Sequence, residues 1–369
     1  MLYARDSEIR TTRGKADRID VAGFNPVTAR NILSWWRAPL WLLELATGAK
    51  SFADNPILGS PALNRRGLHV ARLKLAHALA WSRRRRLARA VPSEWRERFD
   101  RDGYVEVRDF LPANAFDRLR DGLLSRELDA REQQQGDTIT RRVPIGPALL
   151  VTVPELRDLL ASGRWRSLLA YVASTRAEPL YYVQTILSGH APGGPDPQLE
   201  LHADTFHPSL KAWLFLTDVS DGQGPLTYVP GSHRLTPERI AWEQARSVAI
   251  AGSDRLSQRG SLRVAPEELP GLNLPPPRRF AVPANTLVVI DTCGFHARGG
   301  SDGRHVRAEI WAYARRTPFV PWTGLDLSSL PPIAIRRAQW LPHIVDMLDR
   351  LGLKKQHWRP AGRKRPIDP

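Results

Sequence analysis

Two histidines and one aspartate are the residues of this chain whose types and spacing could do chemistry. His202 and Asp204 are separated by one residue, and His296 follows 94 positions after His202. On a strand, residues two apart project from the same face, so His202 and Asp204 can converge on one ion. Two histidines and a carboxylate on one side of a metal leave the opposite positions open, as non-haem Fe(II) oxygen chemistry requires. The sequence therefore predicts a metal site, although a His-x-Asp pair by itself is a weak signal.

Arg307 strengthens this interpretation. It follows His296 by eleven positions and lies in the apolar run of residues 306–311, which predicts a strand. A guanidinium that points inward is costly unless it meets a carboxylate, and a dicarboxylate co-substrate would supply one. Arg298 and Arg304 compete for this role, but their glycine-rich surroundings predict a loop. Arg307 is therefore the preferred residue.

Short strands have to position these residues. Apolar or β-branched runs, separated by Gly, Pro and Asp turns, occur at residues 104–107, 180–187, 212–216, 226–229, 286–290 and 306–313. Regularly spaced short strands indicate a sandwich or barrel. Helical periodicity predicts helices over residues 68–90, 112–124 and 334–351. Histidines outside the predicted site are expected to be structural (His233) or to lie in loops (His207 and His305).

The charge of the chain is unevenly distributed. The formal net charge is +16, of which residues 1–92 carry +11 and residues 320–369 carry +5, whereas residues 93–319 are neutral. This division predicts a basic, Trp-containing N-terminal extension over 1–92 (a mobile arm plus helices), a catalytic body over 93–319, and a C-terminal helix with a basic tail over 320–369. The single cysteine, Cys293, excludes an intramolecular disulfide, and no signal peptide is recognised, so a cytoplasmic setting is expected.

The basic flanks leave alternatives open. Trp35, Trp36 and Trp41 lie in an interrupted apolar run that is too short to span a bilayer. This run suits either an interfacial anchor or a helix packed on the body, and the basic residues 83–86 suit either a solvated face or peripheral contact with an anionic membrane. Nucleic acid is not favoured, because no nucleic-acid-binding pattern accompanies the charge. The oligomeric state is left open.

Residues 97–316 resemble the phytanoyl-CoA dioxygenase family of iron and 2-oxoglutarate-dependent oxygenases. The resemblance rests on the stretches 102–111 and 224–233, on Trp213, and on the residues already discussed. It implies a mainly β core of the double-stranded β-helix (jelly-roll, cupin-like) type with flanking α-helices. It also implies that Fe(II) is bound by His202, Asp204 and His296 and that Arg307 binds the distal carboxylate of 2-oxoglutarate. Trp213 and Gln184 match positions that line the co-substrate pocket, with core packing as the alternative for both.

The resemblance predicts an Fe(II)- and 2-oxoglutarate-dependent dioxygenase that uses O2 and releases succinate and CO2. Hydroxylation of an unactivated carbon in a small molecule or a lipid or acyl substrate is the expected outcome. Asp204 argues against halogenation, because halogen-transferring relatives vacate this carboxylate position. The alternative from another class is a catalytically silent cupin-like binding protein whose basic flanks hold an anionic partner. A zinc hydrolase is disfavoured, because the chain has neither a His-Glu-x-x-His motif nor a pair of cysteines.

Overall fold

The computed structural model describes residues 37–194 and 196–369. The chain divides into two units, Met1–Leu40 and Trp41–Pro369, and only the second is described almost throughout. The second unit contains the predicted catalytic body together with residues 41–92 and 320–369, which were predicted to flank it. The predicted mobile arm and two of the tryptophans, Trp35 and Trp36, lie outside the described residues.

Two antiparallel sheets form the core of the second unit. The strands are β1 (Tyr104–Val107), β2 (Leu128–Gln135), β3 (Thr138–Pro144), β4 (Leu180–Ser188), β5 (Leu210–Phe215), β6 (Leu226–Tyr228), β7 (Arg278–Arg279), β8 (Leu287–Asp291), β9 (His296–Arg298), β10 (His305–Ala314) and β11 (Arg359–Lys364). The larger sheet has the order β1-β8-β5-β10-β4-β3-β2-β11, and the smaller sheet has the order β7-β6-β9. The prediction of a mainly β core of the double-stranded β-helix type with flanking helices is confirmed.

The two faces of the larger sheet carry different residues because side chains alternate along a strand. On β10, Ala308 and Ile310 belong to the apolar core beneath the helices. Arg307 lies on the opposite face of the same strand and lines a cavity. The same alternation on β5 directs Leu214 into the helix-covered core and Trp213 into the cavity.

Helices flank the sheets: several pack on the face of the larger sheet opposite the cavity, whereas the last helix packs against Tyr182 of β4 on the cavity side. They are α1 (Ala38–Leu45), α2 (Pro61–Arg65), α3 (Leu68–Leu87), α4 (Ser93–Asp102), α5 (Ala113–Leu124), α6 (Pro147–Thr152), α7 (Pro154–Ala161), α8 (Gly163–Ala173), α9 (Pro237–Val248), α10 (Arg255–Gln258) and α11 (Pro331–Arg350). The predicted helices over 68–90, 112–124 and 334–351 correspond to α3, α5 and α11. No helix in the described part of the chain is long and apolar enough to cross a membrane.

The basic run at the end of α3 is only partly exposed. Arg83 and Arg84 are buried, and the Arg83 guanidinium donates to the carbonyls of Ser174 and Pro318. Arg84 forms an ion pair with the buried Asp291, with 2.6 Å between nitrogen and oxygen. The interpretation of this run as a solvated or membrane-facing surface is therefore wrong for Arg83 and Arg84, because both guanidiniums bind the protein interior.

The C-terminal basic tail forms part of the larger sheet. Its strand β11 pairs with β2 at the sheet edge. The side chain of Thr185 on β4 donates to the carbonyl of Pro366, with 2.7 Å between the oxygens. The residues after α11 are therefore integrated into the same compact unit as the predicted catalytic body.

Candidate metal centre

The three predicted ligands come together in the structure. The available donor atoms of His202, Asp204 and His296 all lie within 4.8 Å of one another. His202 and His296 are held side by side by reciprocal backbone hydrogen bonds of 3.0 and 2.9 Å, and the backbone of Asp204 donates to Thr292. His296 begins β9, whereas His202 forms an isolated β-bridge and not the continuous strand that was expected.

Backbone carbonyls orient both imidazole rings. The Nδ1 atom of His202 lies 2.8 Å from the carbonyl oxygen of Glu200, and that of His296 lies 3.0 Å from the carbonyl oxygen of Gly294. Because a carbonyl can only accept, Nδ1 carries the hydrogen in each ring and Nε2 presents its lone pair. Burial lowers the pKa of His202, which favours the neutral, ligating form.

The carboxylate of Asp204 is held in its ionised form. Burial opposes ionisation, but attraction to the ammonium of Lys211 keeps the pKa of Asp204 well below its usual range. The ammonium of Lys211 lies 2.7 Å from Oδ2 of Asp204 and 3.4 Å from Nε2 of His296. Two neutral imidazole nitrogens and one carboxylate form a donor set that suits a divalent first-row metal such as Fe(II).

Sequence analysis did not identify Lys211. A signal was available, because Lys211 precedes Trp213 by two residues and therefore shares its face of β5. A lysine on the same face as a predicted pocket residue could have been assigned to the site.

These residues line one cavity of about 340 Å³. Its walls contain all three predicted ligands and the predicted co-substrate residues Arg307, Trp213 and Gln184. The remaining lining side chains are mainly polar or cationic; they are Gln133, Gln135, Thr140, Arg142, Ile186, Gln198, Lys211, Leu226, Ala297, Arg298 and Trp358. Arg142 and Trp358 belong to segments to which sequence analysis assigned no chemistry.

Arg307 is buried and already has a carboxylate neighbour within the chain. Its Nε atom donates to the buried Glu309, with 3.0 Å between nitrogen and oxygen, and one terminal nitrogen donates to the carbonyl of Gly224. Glu309 also accepts a 2.7 Å hydrogen bond from the amide of Gln184. Glu309 thus partly neutralises the buried charge of Arg307, a role that was expected of a bound dicarboxylate alone. The contacts with Glu309 and Gly224 also fix the orientation of the guanidinium.

Arg298 lies in the cavity wall, contrary to the prediction of a loop. It is the last residue of β9, and the glycines that suggested a loop begin immediately after this strand. Its guanidinium forms an ion pair with the buried Asp196. Arg304 is exposed outside any strand or helix, as predicted.

His233, His207 and Cys293 are buried and do not line the cavity. His233 packs against Phe99 and Trp81, and its ring nitrogens have no hydrogen-bond partner among the described residues. The prediction of a hydrogen-bonded structural histidine is therefore wrong in its bonding, although the residue is part of the core. Burial raises the pKa of the Cys293 thiol, which keeps the thiol protonated and suits a small residue that fills the core.

The fold and the convergent ligands define a mainly β protein with a candidate two-histidine, one-carboxylate metal centre. Residues 99–266 match the family model of phytanoyl-CoA dioxygenase (PhyH). The matched segment contains His202 and Asp204 and ends before His296 and Arg307. The predicted class of enzyme, Fe(II)- and 2-oxoglutarate-dependent, is confirmed. The substrate and the reaction outcome stay predictions.

Several solved structures are similar to this chain. The epimerase SnoN of nogalamycin biosynthesis is 21% identical, with 64% of this chain and 91% of that chain covered and a TM-score of 0.40. HygX from Streptomyces hygroscopicus, solved with nickel, 2-oxoglutarate and hygromycin B, is 15% identical, with 66% and 94% covered and a TM-score of 0.39. EctD from S. alaskensis with bound Fe is 16% identical, with 61% and 76% covered and a TM-score of 0.32. No curated protein matches the chain.

Proposed function

We propose that this chain is an Fe(II)- and 2-oxoglutarate-dependent oxygenase that hydroxylates a small polar molecule. The observation that carries the proposal is the geometry of His202, Asp204 and His296, whose ligating atoms converge at the wall of a cationic cavity. Iron and 2-oxoglutarate together would supply the oxidising chemistry, with succinate and CO2 as by-products. The PhyH domain match supports the same assignment.

The residues of the chain would bind the metal and 2-oxoglutarate and orient them. His202, Asp204 and His296 would hold the metal from one side, and the carbonyls behind each imidazole would keep Nε2 directed at it. Arg307, fixed by Glu309 and Gly224, would bind the distal carboxylate of 2-oxoglutarate and set its orientation. Trp213 and Gln184 would form the wall beside it, because both line the same cavity.

The chemistry of the cavity favours a polar substrate over an acyl chain. Its lining contains four cationic side chains, Lys211, Arg142, Arg298 and Arg307, together with several amides. An acyl chain would exclude water from these polar groups without offering them hydrogen bonds, which is costly in a partly buried site. The retained carboxylate at Asp204 supports hydroxylation over halogenation.

The test is anaerobic addition of Fe(II) and 2-oxoglutarate to the full chain, followed by oxygen. The expected results are a visible charge-transfer absorption before oxygen and formation of succinate after it. The absence of both in folded, metal-loaded protein would contradict the proposal. Absorption without succinate, across a panel of polar candidate substrates, would favour the catalytically silent binding protein instead.

A peripheral membrane role is a second candidate, and one helix face favours it. Trp340, Ile344 and Met347 follow one another at steps of four and three residues on α11, and each is about half exposed. Lys354 and Lys355 are exposed shortly after the end of this helix. An apolar face next to basic residues suits an anionic membrane surface.

Co-sedimentation with phosphatidylserine-containing vesicles tests this role. Substitution is preferable to removal of residues 1–92, because removal would also delete the buried Arg83 and Arg84. Replacing Trp340 and Ile344 by serine should reduce pelleting, whereas Val151→Ser, at an exposed apolar position on α6, serves as the control. Equal pelleting of both variants and the unchanged chain would contradict membrane binding.

A further inference from the structure

Three of the four cations in the cavity have carboxylate partners within the chain. Lys211 pairs with Asp204, Arg298 with Asp196, and Arg307 with Glu309. Arg142 differs, because its hydrogen bond to the described residues runs from Nε to the amide oxygen of Gln184, at 2.8 Å. Among the described residues no carboxylate lies within ion-pair distance of this guanidinium. One positive charge in the cavity wall is therefore left without an anion.

Aromatic rings hold this guanidinium in place. Its carbon lies 3.9 Å from the ring centre of Trp311 and 4.4 Å from that of Trp358. Stacking on tryptophan faces stabilises a guanidinium and still leaves its edge free for hydrogen bonds. Burial lowers the pKa of Arg142 to about 10, which leaves it charged at neutral pH. Arg142 is thus a fixed cation whose two terminal nitrogens have no hydrogen-bond partner among the described residues.

Arg142 is also connected to the proposed co-substrate residue. Arg142, Gln184 and Glu309 are direct cross-strand neighbours on β3, β4 and β10. Gln184 accepts from Arg142 and donates to Glu309, which in turn accepts from Arg307. The two guanidiniums are therefore separate positions in one polar network.

The C-terminal segment supplies one of the two rings. Trp358 directly precedes β11, and its carbonyl accepts a 3.0 Å hydrogen bond from Arg131 on β2. The backbone nitrogen of Trp358 donates to the side chain of Gln356, at 3.1 Å. A segment outside the residues that match the family model thus completes this part of the cavity.

We propose that Arg142, clamped between Trp311 and Trp358, is a substrate-anion subsite that binds a carboxylate, phosphate or sulfate group of the substrate. The proposal rests on the proposed function, because it assigns Arg307 to 2-oxoglutarate and Arg142 to the second ligand. It defines the substrate class as small anionic molecules. Trp358 is a positioning residue for the guanidinium.

The experiment measures probe binding to the full chain, loaded anaerobically with Fe(II) and saturated with 2-oxoglutarate so that the co-substrate position is filled. The probes are phenylacetate, its uncharged match phenylacetamide, inorganic phosphate and sulfate, measured by calorimetry. We expect at least one anion to bind, and phenylacetate to bind about tenfold more tightly than phenylacetamide, since a charge-assisted hydrogen bond is lost with the amide. The three anions together show which oxyanion the subsite prefers.

The variants are Arg142→Gln, Trp358→Leu and the control Arg85→Gln, which removes the same charge from an exposed position on α3. Arg142→Gln should abolish the preference for the anion, Trp358→Leu should reduce it several-fold, and Arg85→Gln should retain it. Arg85→Gln should also keep the 2-oxoglutarate affinity of the unchanged chain. In Arg142→Gln and Trp358→Leu that affinity should change much less than the anion preference, because neither side chain is assigned to 2-oxoglutarate; its retention also reports correct folding.

Three results would overturn the subsite. They are an anion preference that survives in Arg142→Gln, a loss of 2-oxoglutarate affinity in that folded variant at least as large as its loss of anion affinity, and no binding of any anion to the unchanged chain at millimolar concentration. Repeating the titration on metal-free protein separates this inference from the proposed function. Failure of the Fe(II)–2-oxoglutarate absorption would contradict the function alone, whereas absence of any anion preference in the unchanged chain, both with and without metal, would contradict the subsite.

Discussion

The two faces of the larger sheet are built from the same strands but have different roles: one packs against helices, and the other lines the cavity. On β10, Ala308 and Ile310 are completely buried under the helices, whereas Arg307 and Glu309 form a charged pair on the cavity side. Burial of apolar side chains on the helix-covered face stabilises the folded protein, whereas the polar groups on the cavity face are available to bind ligands. Alternate residues of the same strand therefore determine stability on one face and binding on the other. Substitutions on the two faces should therefore have separable effects.

The largest effect is expected on the cavity side, at a ligand. His296→Ala should abolish succinate formation and weaken metal binding by more than about a hundredfold, because loss of an outer-shell partner alone typically costs about 10–100-fold. The thermal midpoint of the metal-free chain should change little. A coupled succinate assay and a melting curve of the same sample measure both quantities. Succinate formation at the unchanged rate would contradict the assignment of His296.

Ile310→Ala should have the reverse effect. Truncation of this buried side chain should lower the free energy of unfolding by about 2–5 kcal/mol, since a cavity replaces packed methyl groups. Metal affinity of the folded protein should stay unchanged. Denaturant unfolding and a metal titration at a temperature where the variant is folded measure the two quantities. A large loss of metal affinity in the folded variant would break the proposed separation of the faces.

Arg307→Gln should weaken 2-oxoglutarate binding by about 10–100-fold, because charge-assisted hydrogen bonds contribute about 1.5–3 kcal/mol. Metal affinity should be largely retained. Arg304→Gln is the matched control, since it removes the same charge from the exposed loop that precedes β10. The measurement is a 2-oxoglutarate titration of each variant. Loss of metal with intact 2-oxoglutarate affinity would mean that Arg307 is misassigned.

The smallest effect concerns buried histidines outside the cavity. Burial lowers the pKa of His77 to about 4 and those of His207 and His233 to about 3. Below pH 6.5 the unfolded chain binds protons that the folded chain excludes, so stability should be complete above pH 6.5 and decrease as pH falls towards these values. Each histidine contributes a slope of up to about 1.4 kcal/mol per pH unit.

His233→Phe tests this slope. The ring packs against Phe99 without hydrogen bonds to the described residues, so an apolar ring is tolerated there. Unfolding free energies of the metal-free chain between pH 7 and pH 5 should depend less steeply on pH in the variant. An unchanged slope would show that His233 does not titrate as described.

Sequence patterns predicted one class of element well and missed another. The strands that were predicted, such as those containing Trp213 and Arg307, carry apolar residues on their helix-covered face and so show a readable pattern. Strands β2 and β3 were missed because their cavity-facing residues are Gln133, Gln135 and Arg142, which resemble a loop in composition. The cavity-facing side chains of these two strands are polar because they line the cavity, and not because the strands form a solvent-exposed loop.

Long-range contacts explain the other omissions. Trp358 enters the cavity wall only because β11 pairs with β2, more than two hundred residues earlier in the chain. The burial of Arg84 likewise depends on Asp291, which no local pattern connects to the end of α3. The metal ligands were predictable because their residue types and spacing carry the chemistry directly.

Equilibrium binding of Mn(II), followed by electron paramagnetic resonance, tests whether His202, Asp204 and His296 form a metal centre. Mn(II) takes the same kind of donor set as Fe(II) and needs no exclusion of oxygen. We expect one site per chain in the unchanged protein and none in Asp204→Ala, with the thermal midpoint of the metal-free form nearly unchanged. Binding of Mn(II) by Asp204→Ala with the stoichiometry and affinity of the unchanged protein would contradict the assignment of His202, Asp204 and His296 as the metal centre.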